Sequence, residues 1–247
     1  MSASIRVGTA GWSIPRNVRD NFPGEGSHLA LYAGQLSAAE INSSFHRPHR
    51  RQIYERWAAS VGPDFRFAVK MPKVITHTRR LVEVDEPLLH FADEISGLGE
   101  KLGPILIQLP PSLAFDAQVA QAFASLLRTE IPAQAVIEPR HPSWFAEDAD
   151  NLLVANRIAR VAADPPRVPA AAVPGGWRGL AYFRLHGTPS IYRSDYPPDR
   201  IATHVAEAVA ARARGHPAWI IYDNTAASAA TGNALSFARL LEEYRGI

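Results

Sequence analysis

The sequence predicts a single-domain α/β protein over residues 1–247, built as a (β/α)8 TIM-type barrel with parallel strands. Three observations carry this prediction. Eight short apolar runs recur along the chain, near residues 5–9, 38–42, 66–70, 104–108, 135–138, 160–163, 180–186 and 218–223. Amphipathic stretches of helical length fill most gaps between them, at 28–36, 50–60, 86–100, 116–128, 148–158, 199–213 and 231–245. A strand–helix alternation of this kind implies a parallel sheet, and 247 residues is a usual length for one barrel.

Taken in order, the first run, Ile5-Arg6-Val7-Gly8, leads to the helical stretch 28–36. Gly8-Thr9-Ala10-Gly11 follows it but opens no helix, which weakens the competing open doubly wound sheet with its Gly-rich fingerprint. Ala39-Glu40-Ile41-Asn42 and Phe67-Ala68-Val69-Lys70 form the second and third strands, the latter stopped at Pro72. Ile105-Leu106-Ile107-Gln108 is stopped by Pro110-Pro111, and the helix after it shows a buried stripe at Val119, Ala122, Phe123, Leu126 and Leu127. Val136-Ile137-Glu138-Pro139-Arg140 is the fifth strand. The Ala/Pro-rich stretch 163–177 after the sixth reads as a long loop and, with 188–198, as a lid. Tyr182-Phe183-Arg184-Leu185-His186 is the seventh strand, and the last helix carries Ala234, Leu235, Ala238, Leu240 and Leu241 on one face.

Composition narrows the function. Hydrophobic residues at 47% and charged residues at 20% are ordinary for a globular protein, and the net charge of +2 is close to balance. The absence of cysteine excludes disulfides, thiolate catalysis and Cys-ligated metals. Of the 26 basic residues, only Lys70, Lys73 and Lys101 are lysines. The first strand begins too early for a signal peptide, and no apolar run of about 18 residues is present. A cytoplasmic protein with no membrane partner is therefore the expectation.

Strand parity points to a site, because alternate residues face opposite sides. Placing Phe183, Leu185, Ile137, Ile41, Phe67 and Val69 under the helices turns Tyr182, Arg184, His186, Glu138, Arg140, Glu40, Asn42, Ser44, Ala68 and Lys70 toward the barrel axis. Gln108 shares the inward parity with Leu106. The charged members end their strands, where barrels of this type hold their chemistry.

The same residues carry a family resemblance. Gly8-Thr9-Ala10-Gly11-Trp12, Glu40-Ile41-Asn42-Ser43-Ser44-Phe45, Phe67-Ala68-Val69-Lys70 with Thr76-His77, and Gln108-Leu109-Pro110-Pro111 form the first blocks. Glu138-Pro139-Arg140-His141-Pro142-Ser143-Trp144, Arg184-Leu185-His186-Gly187, Asn224-Thr225 and Asn233-Ala234 complete the series. In this order the chain resembles the DUF72 (YecE-like) family along nearly its whole length. The resemblance implies a TIM-type barrel and names no activity, since the family is one of unknown function. Two positions depart from the family pattern: His46 stands where an aromatic is usual, and Asp223 where the first Asn of an Asn-Asn pair is usual.

The inward constellation suits an enzyme acting without a metal on a phosphorylated or other anionic small molecule, by hydrolase or lyase chemistry. Glu138 is the expected base, His186 the proton carrier and Glu40 the residue that orients a partner. Lys70, Arg140 and Arg184 are expected to hold the anion, with Asn42, Gln108, His77, Trp12, His141, Trp144 and Asn224 completing the ligand-binding set. A basic lip follows strands two and three: His46-Arg47-Pro48-His49-Arg50-Arg51 and Lys73 through Arg80. With Trp12, Phe45, Trp144, Tyr192 and Tyr196 near the loops, this lip supports a nucleic-acid-binding or nuclease-like alternative. No cofactor is expected, although Glu40, Glu138, His186 and Asp223 offer ligands for a divalent metal. No Gly-x-Ser-x-Gly elbow occurs, and Ser43 and Ser44 are discounted as nucleophiles. Two carboxylates among cations make a poor glycosidase pair, because the general acid needs a raised pKa. A non-catalytic ligand-binding barrel is the third reading.

Overall fold

The computed structural model of the chain describes residues 4–245; residues 1–3 and 246–247 of the domain expected over 1–247 lie outside it. Eight strand positions close around one axis. Their members are β1 (Ile5–Ala10), β2 (Ala38–Ile41), β3 (Arg66–Lys70), β4 (Leu102–Gln108), β5 (Ala135–Glu138), a sixth position made of β6 (Ile158–Arg160) and β7 (Ala162–Asp164), then β9 (Ala181–Leu185) and β10 (Ala218–Tyr222). All of these pair in parallel, and the ring closes where β10 pairs with β1. The sixth position is broken at Val161, so that β6 pairs with β5 and β7 with β9. A two-residue strand, β8 (Gly175–Gly176), lies antiparallel to β6.

The helices fall where their periodicity places them. They are α1 (His28–Ala33), α2 (Ser43–His46), α3 (Arg51–Ala59), α4 (Asp85–Ser96), α5 (Ala117–Glu130), α6 (Glu147–Ala155), α7 (Pro198–Ala213) and α8 (Ala230–Arg245). Ser27 caps α1 through the amide of Ala30, and Asp116 caps α5 through the amides of Gln118 and Val119, which satisfies donors that a helix start leaves free. Between β7 and β9 no helix forms. The Ala/Pro-rich stretch instead makes a 3-10 turn at Pro169–Ala172 and the β8 ribbon, because its prolines lack the amide donors a helix needs.

The core has two layers. Phe67, Val69, Ile105, Ile107, Ile137, Phe183 and Ile220 pack outward under the helices with the helical stripes. Ala38, Ala68, Leu106, Val136, Ala159, Val161, Tyr182, Trp219 and Ile221 fill the barrel interior. Small residues on β2, β3 and β6 make room for Tyr182 and Trp219, whose rings stack with centroids 6.0 Å apart. Gly8 is required here, since a Cβ on it would stand 1.8 Å from the Ala38 carbonyl oxygen. Above this apolar floor, the inward positions at the ends of β2, β3, β4, β5 and β9 are polar or charged: Glu40, Lys70, Gln108, Glu138 and Arg184.

Candidate functional site

Arg184, on β9, is the centre of the neck and is 0% exposed. Its Nε donates to Glu40 Oε2 at 3.1 Å and its Nη2 to Glu40 Oε1 at 2.7 Å, a bidentate pair. Nη2 also donates to Asp223 Oδ2 at 2.9 Å, and Nη1 to Glu138 Oε2 at 2.6 Å. Tyr182, one turn of the pleat below, donates to Glu40 Oε2 at 2.8 Å, and Gln108 Nε2 donates to Glu138 Oε2 at 2.8 Å. Three carboxylates thus converge on one guanidinium. Burial disfavours their charge, but Arg184 outweighs it and holds Glu138 well below the ordinary carboxylate range and Asp223 below it as well.

His186 completes the network two residues along β9's path. Its Nδ1 stands 3.1 Å from Asp223 Oδ2 and its Nε2 3.0 Å from Glu138 Oε1. Ionised carboxylates only accept, so both ring nitrogens carry hydrogen and His186 is an imidazolium. Burial pushes its pKa down, and the charges and hydrogen bonds of Glu138 and Asp223 override this and raise it. Arg140 adds a longer contact, Nη2 to Glu138 Oε1 at 3.4 Å, and reaches Tyr192 Oη at the same distance.

These contacts balance: Glu40, Glu138 and Asp223 against Arg184, Arg140 and the His186 imidazolium. Lys70 is left over. It ends β3 at 9% exposure, and its Nζ has neither an ion pair nor a hydrogen bond among the described residues. The ammonium lies against the Phe45 ring, 4.2 Å from its centroid. Burial and the nearby Arg184 charge lower the Lys70 pKa to about 8 despite the carboxylates around it. Local structure fixes this arrangement. The short helix α2 turns the chain just past β2, so that Ser44 Oγ donates to the carbonyls of Ile41 and Lys70, and Phe45 comes to lie over the β3 end.

The remaining expected residues divide by position. His77 sits on a π-helical turn, Val74–Thr78, with its Nδ1 2.9 Å from Thr76 Oγ1 and its ring 5.0 Å from Phe45. Burial and then the charges of Lys70, Arg140 and Lys73 lower its pKa. Asn42 carries a buried Oδ1 with no hydrogen-bond partner among the described residues. Trp12 packs edge-on against Trp57 and Phe67, and Trp144 donates to the Leu113 carbonyl and packs on Phe115, so both serve the fold. His141 caps the following 3-10 turn through the Ser143 amide. Asn224 ties Ser194 to Asn233, bracing the 188–198 loop. Arg184 directs four of its five N–H donors to Glu40, Glu138 and Asp223 and, at 0% exposure, does not reach the mouth surface. Asp164 turns away from the axis, accepting from Thr188 Oγ1 and Arg200.

Tyr192 was legible only as one aromatic among five, yet it roofs the site. It sits at φ 67°, a conformation rare for a bulky side chain, with its ring edge-on to His186 at 5.5 Å. Beneath it a cavity of about 90 Å3 is lined by Glu138, Arg140, His186, Arg167 and Ile191. Grooves of about 440 to 520 Å3 exist elsewhere, but none is lined by the inward residues at the strand ends. The basic lip is partly tied down: Arg51 pairs with Glu55 and Asp93, Arg79 bonds the Glu83 carbonyl, and Arg80 bonds Ser112.

Among the described residues no cluster of three or more His, Asp or Glu side chains is arranged to hold a metal ion. Glu40, Glu138 and Asp223 do converge, and the Arg184 guanidinium fills the position between them. No helix among the described residues is long and apolar enough to cross a membrane.

Comparison with known proteins agrees with this architecture. A family model described as "Protein of unknown function DUF72" matches residues 6–247. The UPF0759 protein YecE of Escherichia coli is 28% identical over 145 residues, 58% of this chain and 51% of that protein, so the chain spans about half the length of the curated relatives it matches. Among solved structures, a DUF72 family protein from Thermotoga maritima superposes with a TM-score of 0.79 at 24% identity, covering 97% of this chain and 99% of that one. One from Enterococcus faecalis gives 0.79 at 21% identity, covering 96% and 95%. At these identities the structural likeness shows the fold, and the family match over nearly the whole chain shows the kinship: the chain belongs to the DUF72 family, whose function is unknown.

Proposed function

We propose that the barrel mouth is the site of an enzyme acting on a phosphorylated or otherwise anionic small molecule. One observation carries this reading: after the neck charges pair off, the Lys70 ammonium, on a largely buried side chain, remains as surplus positive charge with no ion-pair partner among the described residues. Partial desolvation of a charge that lacks a counter-ion is costly, and a ligand that brings an anion to this place relieves the cost. Arg140 stands on the edge of the same charge group and offers planar donors to that anion.

The buried network supports the division of roles more closely than parity alone does. Glu138 is held too acidic to be a strong base, and His186 has both nitrogens engaged. Both therefore serve to position charge, with Glu40 and Arg184 as their support. The group poised to exchange a proton near neutral pH is Lys70, and His77, its pKa lowered by burial and by the charges of Lys70, Arg140 and Lys73, stands beside the same Phe45 ring as a neutral acceptor. A metal-independent reaction fits this set, because the convergent acids are taken up by Arg184.

The test is a thermal-shift titration of wild type, Arg140→Ala and Lys70→Met with sugar phosphates, small carboxylates, nucleotides, short oligonucleotides and divalent metal salts. A ligand that binds only the native state raises Tm by mass action. The expected result is a rise with one small-anion class that both variants lose. A rise with oligonucleotides alone, falling steeply with salt, would favour the nucleic-acid reading instead. A rise with metal salts alone would overturn the metal-independent reading.

A further inference from the structure

Resting on that reading of the mouth, we propose that Lys70 forms a Schiff base with an anionic aldehyde or ketone, and that an anionic carbonyl compound is the substrate class. Of the three lysines, Lys73 is exposed and Lys101 is engaged with the Gly62 carbonyl at the opposite end of its loop region. Among the three, only Lys70 is on a largely buried side chain and ends a barrel strand; its amine lies on the Phe45 ring within reach of the neck charges and has no hydrogen-bond or ion-pair partner among the described residues. The carboxylates that would ordinarily hold such an ammonium are already spoken for: Glu40 by Arg184 and Tyr182, Glu138 by Arg184, Gln108 and His186, and Asp223 by Arg184 and His186.

An amine must lose its proton before it can attack a carbonyl. With a pKa of about 8, roughly a tenth of Lys70 is unprotonated at pH 7, on the order of 300 times the fraction of an ordinary lysine. The Phe45 ring face that receives the ammonium is equally suited to the cationic iminium that replaces it. Arg140 is placed for the substrate's anionic group.

The step balances without a redox partner. The free amine adds to the carbonyl carbon, forming C–N as the C=O π pair moves to oxygen. The oxygen gains a proton and the nitrogen loses one, giving a carbinolamine. The hydroxyl then takes up a second proton, the one the Lys70 ammonium released to become the free amine. The C–O bond breaks, water leaves, and the nitrogen lone pair forms C=N, giving the cationic iminium. His77, bordering the same Phe45 ring with a pKa lowered by burial and by Lys70, is the group suited to shuttle the proton.

Reductive trapping tests the proposal. Wild-type protein is incubated separately with glyoxylate, pyruvate and dihydroxyacetone phosphate in the presence of cyanoborohydride, which reduces any imine to a stable amine. Peptide mass mapping then quantifies adducts at Lys70, Lys73 and Lys101. The expected result with at least one probe is labelling of Lys70 at least tenfold above both other lysines, suppressed by inorganic phosphate. Labelling of Lys70 at or below the level of exposed Lys73 with every probe would overturn it. Phosphate-dependent thermal stabilisation without such labelling sinks the Schiff base and leaves the anion site standing; loss of both removes both. Mapping is done on wild type, so no folding defect of a variant can mimic the result.

Discussion

Arg184 and Glu40 lie 144 residues apart in sequence and are joined by two parallel hydrogen bonds, 3.1 and 2.7 Å long, with neither side chain exposed. A buried pair of this kind adds little over an apolar isostere, but removing one member strands the other. Here three acids depend on one cation. Arg184→Met should therefore lose about 3–5 kcal/mol of stability in equilibrium denaturation. A loss under about 1 kcal/mol, the scale of an exposed ion pair, would show that the carboxylates do not rely on Arg184.

Tyr182 steadies the same acid from below. Tyr182→Phe removes only the hydroxyl that donates to Glu40, while the ring's stacking on Trp219 stays. The expected cost is about 1 kcal/mol in urea unfolding, with unchanged m. An equal or greater stability of the variant would mean that this hydrogen bond contributes nothing net.

Acid sensitivity should trace in part to Asp164, which fastens the 188–198 loop. Burial pushes its carboxyl up, but His204, Arg200 and Thr188 outweigh this and hold its pKa at about 2, against 3.8 ordinarily. A depressed carboxylate stabilises the fold above its unfolded pKa, and that contribution is lost as pH falls through the folded value. The difference between wild type and Asp164→Asn should thus be about 2 kcal/mol near neutrality and shrink between pH 4 and pH 2. A difference independent of pH would contradict it.

Lys70 makes stability rise with pH as well, but in an alkaline window and by relief of a cost. Its folded pKa of about 8 lies below the ordinary 10.5, so the unfolded chain binds the extra proton between those values. Stability attributable to this group therefore rises with pH across that window, by up to about 3 kcal/mol. Lys70→Met should be more stable than wild type at pH 7, and its advantage should narrow above pH 8. A variant less stable than wild type at pH 7 would show that the ammonium has a partner.

The barrel was legible because its signals are local and periodic. All eight strand positions and the seven long helices lie where the apolar runs and stripes place them, and parity correctly turned Tyr182, Arg184 and His186 inward. What parity does not carry is partnership. It sets Glu40 and Glu138 near Arg184 and Lys70 alike, and only register and depth decide that Arg184 takes both, and Asp223 with them, while Lys70 takes none among the described residues. The partners of the lip arginines divide in the same way. Arg51 and Glu55 stand four apart on one helix, a pairing visible in sequence, whereas the Arg80 contact with Ser112 links loops that sequence leaves unrelated. Trp12 and Trp144 follow strand ends but turn into packing, because their ring edges find aromatic neighbours. The roof formed by Tyr192 rests on a left-handed backbone at a non-glycine residue, which nothing in the sequence marks.

The most direct test is lysine NMR on protein carrying 13Cε-lysine, where the three lysines give three resolvable signals. One signal, removed by Lys70→Met, should titrate near pH 8 and shift to higher pKa when inorganic phosphate is added. If all three titrate near 10.5, or the Lys70 signal ignores phosphate, the unpartnered amine at the barrel mouth is not an anion site and the central claim fails.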